Sequence, residues 1–440
     1  MAVLALGLFV LVACRRSVLD EPDVALQVEK GPVAVSLMLS VKDYGEEGNT
    51  ITKGVFVDNA VHYAHEKAVD LSTIVLLAFD AENAFENDGS GKLVFKPENA
   101  TLIGTDRMEI LHAEAAGAGR VRADFILDKP YPSLALIALA NYPSSSFSIS
   151  GTDMKAVVQA LASVSVDYVP GQDQYHSGGI PMHGYKVFGT LEGLPVSDTD
   201  AQENSRLKYY KGMSTPLTAK GFRTQAELEK YAKPGTGTGT VGADDCLPMT
   251  YALARLQLRY LPAAGQVPAS LVDITVALNG YKAKYRMVPA GWLDGNLTPF
   301  DAVGDIGDYV TGSISFKEVT YNTSDKAYVA YVPEMGKASM ALAVPEPGLS
   351  VTIKKYEADA LGERTSVWTS YTYSGGTVTV AYSDPSKPAV TYANGAWTAW
   401  LRMRTVYARK DKNDNDVPVG SLFSLVRHYS YEWEATGIDK

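Results

Sequence analysis

The chain has 440 residues, a formal net charge of −10 and 46% hydrophobic residues, a balance that suits a globular protein with more than one core. The negative charge argues against a nucleic-acid partner, and two cysteines cannot build a disulfide framework. Tyr is abundant at 26 residues, and with frequent Val, Thr and Ser it favours strands over helices.

Residues 1–14, MAVLALGLFVLVAC, form an apolar run closed by small residues, the pattern of an export signal. The run is shorter than the roughly 20 residues that span a bilayer. Leu11-Val12-Ala13-Cys14 resembles a bacterial lipobox, which implies lipid on the Cys14 thiol and cleavage before it. A basic segment ahead of the run is absent, and the first cations are Arg15 and Arg16. Residues 15–30 read as an acidic tether.

In the next stretch Val33, Val35, Leu37, Leu39 and Val41 alternate with Ala34, Ser36, Met38 and Ser40. Larger aliphatics at every second position predict a half-buried strand. Residues 42–70 are polar and Gly-containing, hence a long loop with one short element at most. Strands are predicted over 73–79, 92–95, 121–127 and 134–140, and a short helix over 153–163, so 31–190 reads as an N-terminal β-sandwich. Residues 191–245 form a polar linker or insertion, with one helix signalled by Thr224 and Glu227 in capping-box spacing.

From 246 to 440 the pattern returns to short strands. Val272, Ile274, Val276 and Leu278 alternate, and further strands are predicted over 327–332, 348–356, 377–382 and 397–406. A closing hairpin turns through KDKNDND and comes back over 422–433, completing a second β-sandwich.

Residue sets with catalytic or metal-binding spacing are few. His62 and His65, followed by Glu66, lack the H-E-x-x-H order of a zinc protease and read as a solvated loop pair. Asp411, Asn413 and Asn415 begin like a calcium loop, but Asp416 and Leu422 stand where Gly and Glu are required. Neither Gly-rich stretch is a phosphate loop, and Cys246 reads as a lone buried thiol. No enzyme activity, metal or cofactor is expected.

Ile180-Pro181-Met182-His183-Gly184 resembles the I-P-M-x-G signature of fimbrillin-type pilus subunits of Bacteroidales. Leu136 to Asn141 looks like the family's apolar strand ending in Ala-Asn. The stretch 249–258 is similar to the strand opening the C-terminal domain, with Ala254-Arg255 matching and Tyr251 where an Arg is usual. Tyr331-Val332-Pro333-Glu334 fits the Tyr-x-Pro-Glu feature, and Arg427-His428-Tyr429-Ser430-Tyr431 resembles the final-strand motif with His and Tyr displaced.

The resemblance implies two transthyretin-like β-sandwich domains with a few short helices, and a subunit of a cell-surface fimbrium exported as an outer-membrane lipoprotein. It also implies assembly by strand donation, in which a neighbour's strand fills the groove that a removed strand leaves. Val33, Val35, Leu37, Leu39 and Val41 would be that removable strand, and the processing loop behind it offers Lys42, Lys53 and Lys67.

Stalk members are cut at an Arg in this loop, whereas no Arg occurs here between Arg16 and Arg107. They also carry a donor extension, whereas this sequence stops at Lys440, just past the last motif. Both departures point to an accessory tip or anchor subunit, with other fimbrial subunits, the outer membrane and a host or bacterial surface ligand as partners. The alternative is a surface lipoprotein that binds a glycan or nutrient through exposed tryptophans among Trp292, Trp368, Trp397, Trp400 and Trp433.

Overall fold

The computed structural model describes residues 33–43, 63–87, 89, 93–117, 119–129, 131, 133–143, 149–170, 175, 179–189, 246–294, 309–320, 326–335, 348–374, 377–393, 401–407, 425, 427–428 and 430–438. Cys14, Lys53, the tether, the 191–245 linker with its helix, the 411–422 turn, Trp397 and Trp400 lie outside these residues.

The first block contributes β1 (Val33–Val41), β2 (Val75–Asp80), β3 (Phe85–Asn87), β4 (Leu93–Phe95), β5 (Thr101–Leu102), β6 (Ile110–Ala115), β7 (Arg120–Leu127) and β8 (Ser133–Ala140). Helix α1 (Met154–Ser163), β9 (Ser165–Asp167) and β10 (Met182–Gly189) follow. Next come β11 (Leu247–Tyr251), β12 (Ala254–Tyr260), β13 (Val272–Lys282), β14 (Lys284–Arg286), β15 (Tyr309–Ser315), β16 (Lys317–Thr320) and β17 (Lys326–Val332). The last are β18 (Gly348–Ala358), β19 (Arg364–Ser374), β20 (Thr377–Tyr382), β21 (Val390–Ala393), β22 (Leu401–Tyr407) and β23 (Ser430–Ile438).

The expected mostly-β, β-sandwich-like architecture is the one the chain adopts. An eight-stranded sheet runs β5-β2-β8-β10-β11-β1-β7-β6, a five-stranded sheet runs β16-β17-β12-β23-β22, and a six-stranded sheet runs β15-β13-β18-β19-β20-β21. The predicted helix forms as α1, capped by Asp153, whose carboxylate accepts from the Ala156 N–H at 2.9 Å. Met154, Val157, Val158 and Leu161 bury its apolar face. A short β9–β14 ladder straps residue 167 to 284, joining the two halves of the sequence.

The six-stranded sheet alternates as its sequence does. Val276, Val351 and Ile353 are buried, whereas Thr275, Thr352, Thr372, Thr379 and Thr391 stand opposite one another across five successive strands on the other face. The Thr352 and Thr372 hydroxyls meet at 2.9 Å and those of Thr379 and Thr391 at 3.0 Å. A β-branched side chain whose hydroxyl pairs across strands suits a face turned to water.

Two expectations need correction. The stretch 249–258 is two strands in two sheets: β11 completes the first sheet, and the chain crosses at Ala252-Leu253 to begin β12 in the second. The crossing is fixed by the Ala252 N–H donating to Pro181 O (2.8 Å) and by Leu253 O accepting from the His428 N–H (3.0 Å). The closing strand starts at Ser430, not 422, because His428 takes a left-handed φ of 63° and turns the chain just before it.

Candidate strand-exchange site and the buried junction beside it

β1 lies inside the eight-stranded sheet. It pairs antiparallel with β7 from Val33 to Ser40, and parallel with β11 only from Leu39 to Val41. The Lys42 N–H extends that second ladder to Met249 O at 2.9 Å. Leu37, Leu39 and Val41 are 3%, 1% and 4% exposed, so the predicted alternation does turn these side chains into the core. Each such burial contributes roughly 1.5–3 kcal/mol. Of Val33 and Val35 the described geometry is the backbone, which holds the same register against Leu127 and Phe125.

Two of the three lysines of the expected processing loop, Lys42 and Lys67, are placed. Lys42 ends the β1 ladder, and Lys67 closes a 3₁₀ turn (Ala64–Lys67) with its Nζ 2.8 Å from Asp43 Oδ1. The two ends of the loop are therefore pinned to each other.

Of the expected solvated pair, His62 lies outside the described residues, and the turn carrying His65 and Lys67 holds a buried polar cluster around Glu66. Glu66 is 2% exposed, and both of its oxygens accept from Arg255 Nη1 at 3.1 Å. Tyr331 OH donates to Glu66 Oε1 (2.8 Å), and the Tyr63 N–H donates to Oε2 (3.2 Å). The single Tyr331 proton is thus used, so His65 Nε2, 2.7 Å away, donates to the Tyr331 oxygen. Arg255 Nε donates to Ser430 Oγ at 2.8 Å. Burial pushes the His65 imidazole below its usual value; Glu66 opposes that shift and Arg255 adds to it.

A second buried pair lies in the same junction. Arg427 and Glu334, both fully buried, form a two-pronged ion pair, with Nε to Oε2 at 3.1 Å. Arg427 Nη2 also donates to Arg286 O (3.1 Å), and Tyr142 OH donates to Met287 O. His428 accepts the Tyr251 N–H on Nδ1 at 3.2 Å, which holds the end of β11. A buried charge is tolerable only with its partner in place, and removing one member of such a pair costs about 3–5 kcal/mol.

The motif residues scattered over the sequence converge here. Asn141 has a left-handed φ of 63°, its Nδ2 donates to Ile180 O (2.8 Å), and its Oδ1 accepts from the Asp70 N–H (2.8 Å). Gly184 is required by a close approach, because a Cβ there would stand 1.9 Å from Pro248 O on β11. His183 is buried beside Thr250, 3.2 Å from its hydroxyl, and edge-on to the buried Trp292. Glu334, Arg255 and Arg427 supply three of the four members of the two ion pairs, Tyr331 donates to the fourth, Glu66, and His428 gives the hold on β11. Periodicity alone does not mark any of them; Glu66 lacked even a motif.

Trp292 is fully buried and Trp368 is half-buried beneath Lys354, whose Nζ lies 4.3 Å from its ring centroid. Of Trp433 only the backbone, within β23, is described. Cys246 is buried, as read. Among the described residues, no group of His, Cys, Asp or Glu is placed to hold a metal ion, and no helix is long and apolar enough to cross a membrane.

No family model matches the chain, and no curated protein does. Solved structures that are similar include a cell adhesion protein from Parabacteroides distasonis, described as putative, at 13% identity and TM-score 0.35, covering 78% of this chain and 82% of that one. The tip fimbrial protein Mfa3 from Porphyromonas gingivalis matches at 12% identity and TM-score 0.36, covering 93% and 96%. A further cell adhesion protein of the same description, from Bacteroides fragilis, matches at 9% identity and TM-score 0.28, covering 93% and 92%. These values are too low for fold or function to be carried over from them.

Proposed function

We propose that the chain is a structural subunit of a cell-surface fimbrium assembled by β-strand donation, an accessory tip or anchor subunit and not an enzyme. In this reading residues 31–190 and 246–440 form the two domains, 191–245 links them, and β11 is lent by the second domain to the first. Lipid on Cys14 holds the precursor at the outer membrane, and the partners are other fimbrial subunits, with a host or bacterial surface ligand at the tip. The absence of Arg between Arg16 and Arg107 argues for an accessory place over the stalk.

The observation that carries the reading is β1. It fills the core with Leu37, Leu39 and Val41, yet residues 42–63 separate it from the next described element, and β11 borders only its last three residues. Its departure would open an apolar slot between β7 and β11 that another extended strand fits.

Mass spectrometry of the N-terminus of surface-extracted protein tests this. A lipidated Cys14 in assembled protein is expected of an anchor, and a start between Lys42 and Lys67 is expected of a tip subunit. Protein that never co-purifies with another fimbrial subunit would overturn the assignment in favour of the binding lipoprotein.

A further inference from the structure

The groove under β1 has two unlike faces. On the core face any strand with alternating aliphatics fits, and a shift of two residues along β7 leaves that face unchanged. The other face is charged. There β7 presents Asp124, Arg122 and Arg120 opposite Ser36, Met38 and Ser40 of β1.

Asp124 is 1% exposed, although it lies on the face of β7 that points away from Phe125 and the core. Its Oδ1 accepts from Arg122 Nε at 3.1 Å, and Arg122 Nη1 reaches Glu114 Oε1 on β6 at 3.4 Å. His112, opposite Asp124 on β6, has its Nε2 3.5 Å from Glu114 Oε2 and so leans on the other carboxylate. Asp124 Oδ2 has no hydrogen-bond partner among the described residues. Arg120 is half-buried and takes part in none of the ion pairs formed among the described residues. β1 therefore sets two serines, which carry no charge, against a carboxylate and a guanidinium that each lack an opposite charge on that strand.

We infer that the strand donated by the partner subunit carries a basic side chain at the position of Ser36 and an acidic one at the position of Ser40. Both sit between aliphatic residues at the positions of Val35, Leu37, Leu39 and Val41. This rests on the strand-donation reading above and names the chemistry of the donor. A buried acceptor left unmet is costly, so an occupant that meets it displaces one that does not. The same charges set the register. A two-residue shift one way brings the donor's basic group against Arg122, and the other way leaves it opposite Ile126. β1 is then a placeholder: apolar enough to keep the groove filled, and neutral where the donor is charged.

Two measurements test this on the full chain. In the uncut protein, Ser36→Lys and Ser40→Glu should each raise the unfolding midpoint by about 2–4 °C. The first gain should vanish in an Asp124→Ala background, and the second in an Arg120→Ala background. No gain, or a gain that survives those backgrounds, overturns the inference. In the second measurement a specific protease site is inserted between residues 43 and 63, the chain is nicked there, and labelled peptides VAVSLMLSV and VAVKLMLEV compete for it. The charged peptide should be taken up about tenfold more tightly. Equal uptake overturns the inference and leaves strand donation standing. Uptake of neither peptide overturns strand donation itself, and the inference with it.

Discussion

β8 and β1 belong to one sheet and are of nearly equal length, yet they are held in different ways. β8 is flanked along most of its length by β2 on one side and β10 on the other, and every one of its residues is buried. β1 has a full-length partner only in β7, and its second wall, β11, touches just Leu39 to Val41. β11 in turn pairs with β10 only at Tyr251 and Thr250, and its end is also held from outside the sheet, where His428 Nδ1 accepts the Tyr251 N–H. A strand locked by its own ladders is part of the scaffold. β1 instead relies on a wall that is held in part from outside the sheet.

The largest test of this difference is to break the anchor. Arg255→Met should cost about 3–5 kcal/mol in chemical denaturation, because Glu66 is left buried without its cation. A Glu66→Gln, Arg255→Met double variant should recover part of the loss. If the single variant is as stable as the wild type, the Glu66–Arg255 pair does not hold the junction together.

Truncation within the two strands comes next. Leu136→Ala in β8 and Leu39→Ala in β1 each remove a fully buried side chain and should each cost about 2–5 kcal/mol. Hydrogen exchange should then separate them. The β1 amides from Val33 to Leu37 should exchange through local opening well before those of β8, which should wait for global unfolding. Equal protection in the two strands would remove the contrast.

The smallest effect is on pH. The folded pKa of His65 lies below its unfolded value, so the unfolded chain binds the extra proton first. The stability this group contributes is full above the ordinary histidine range and declines as pH falls from there towards the folded pKa. A His65→Gln variant, titrated by thermal unfolding between pH 7.5 and 5 at intervals of about half a unit, should show a flatter decline than the wild type. A decline as steep as the wild type's would mean that His65 is not coupled to the junction.

Much of the fold was legible because strand burial has a period of two. The alternation in β1, in β13 (Val272, Ile274, Val276, Leu278) and in β18 predicted strands whose described odd or even positions are indeed buried. A strand was predicted over 134–140, and every residue of β8 is buried. Helix α1 announced itself by its apolar spacing. Errors fell where backbone conformation is set by a distant contact. The break between β11 and β12 depends on Pro181 and His428, and the late start of β23 on the turn at His428, neither of which leaves a local pattern.

The sequence by itself determined the class of the fold, the place of the core strands, the alternation from Val33 to Val41, and the positions of the motifs. Only the tertiary structure decided what those motifs do. Glu66 and Arg255, 189 residues apart, pair only once the two halves of the chain are packed, and Arg427 and Glu334, 93 residues apart, pair only once the second half has folded. The same holds for the charged face of the β1 groove. Asp124 and Arg120 read as ordinary strand-surface residues until β6, β7 and β1 lie side by side. The physical reason is that periodicity reports which side of a strand meets water, whereas a buried charge is defined by partners that the chain brings from far away.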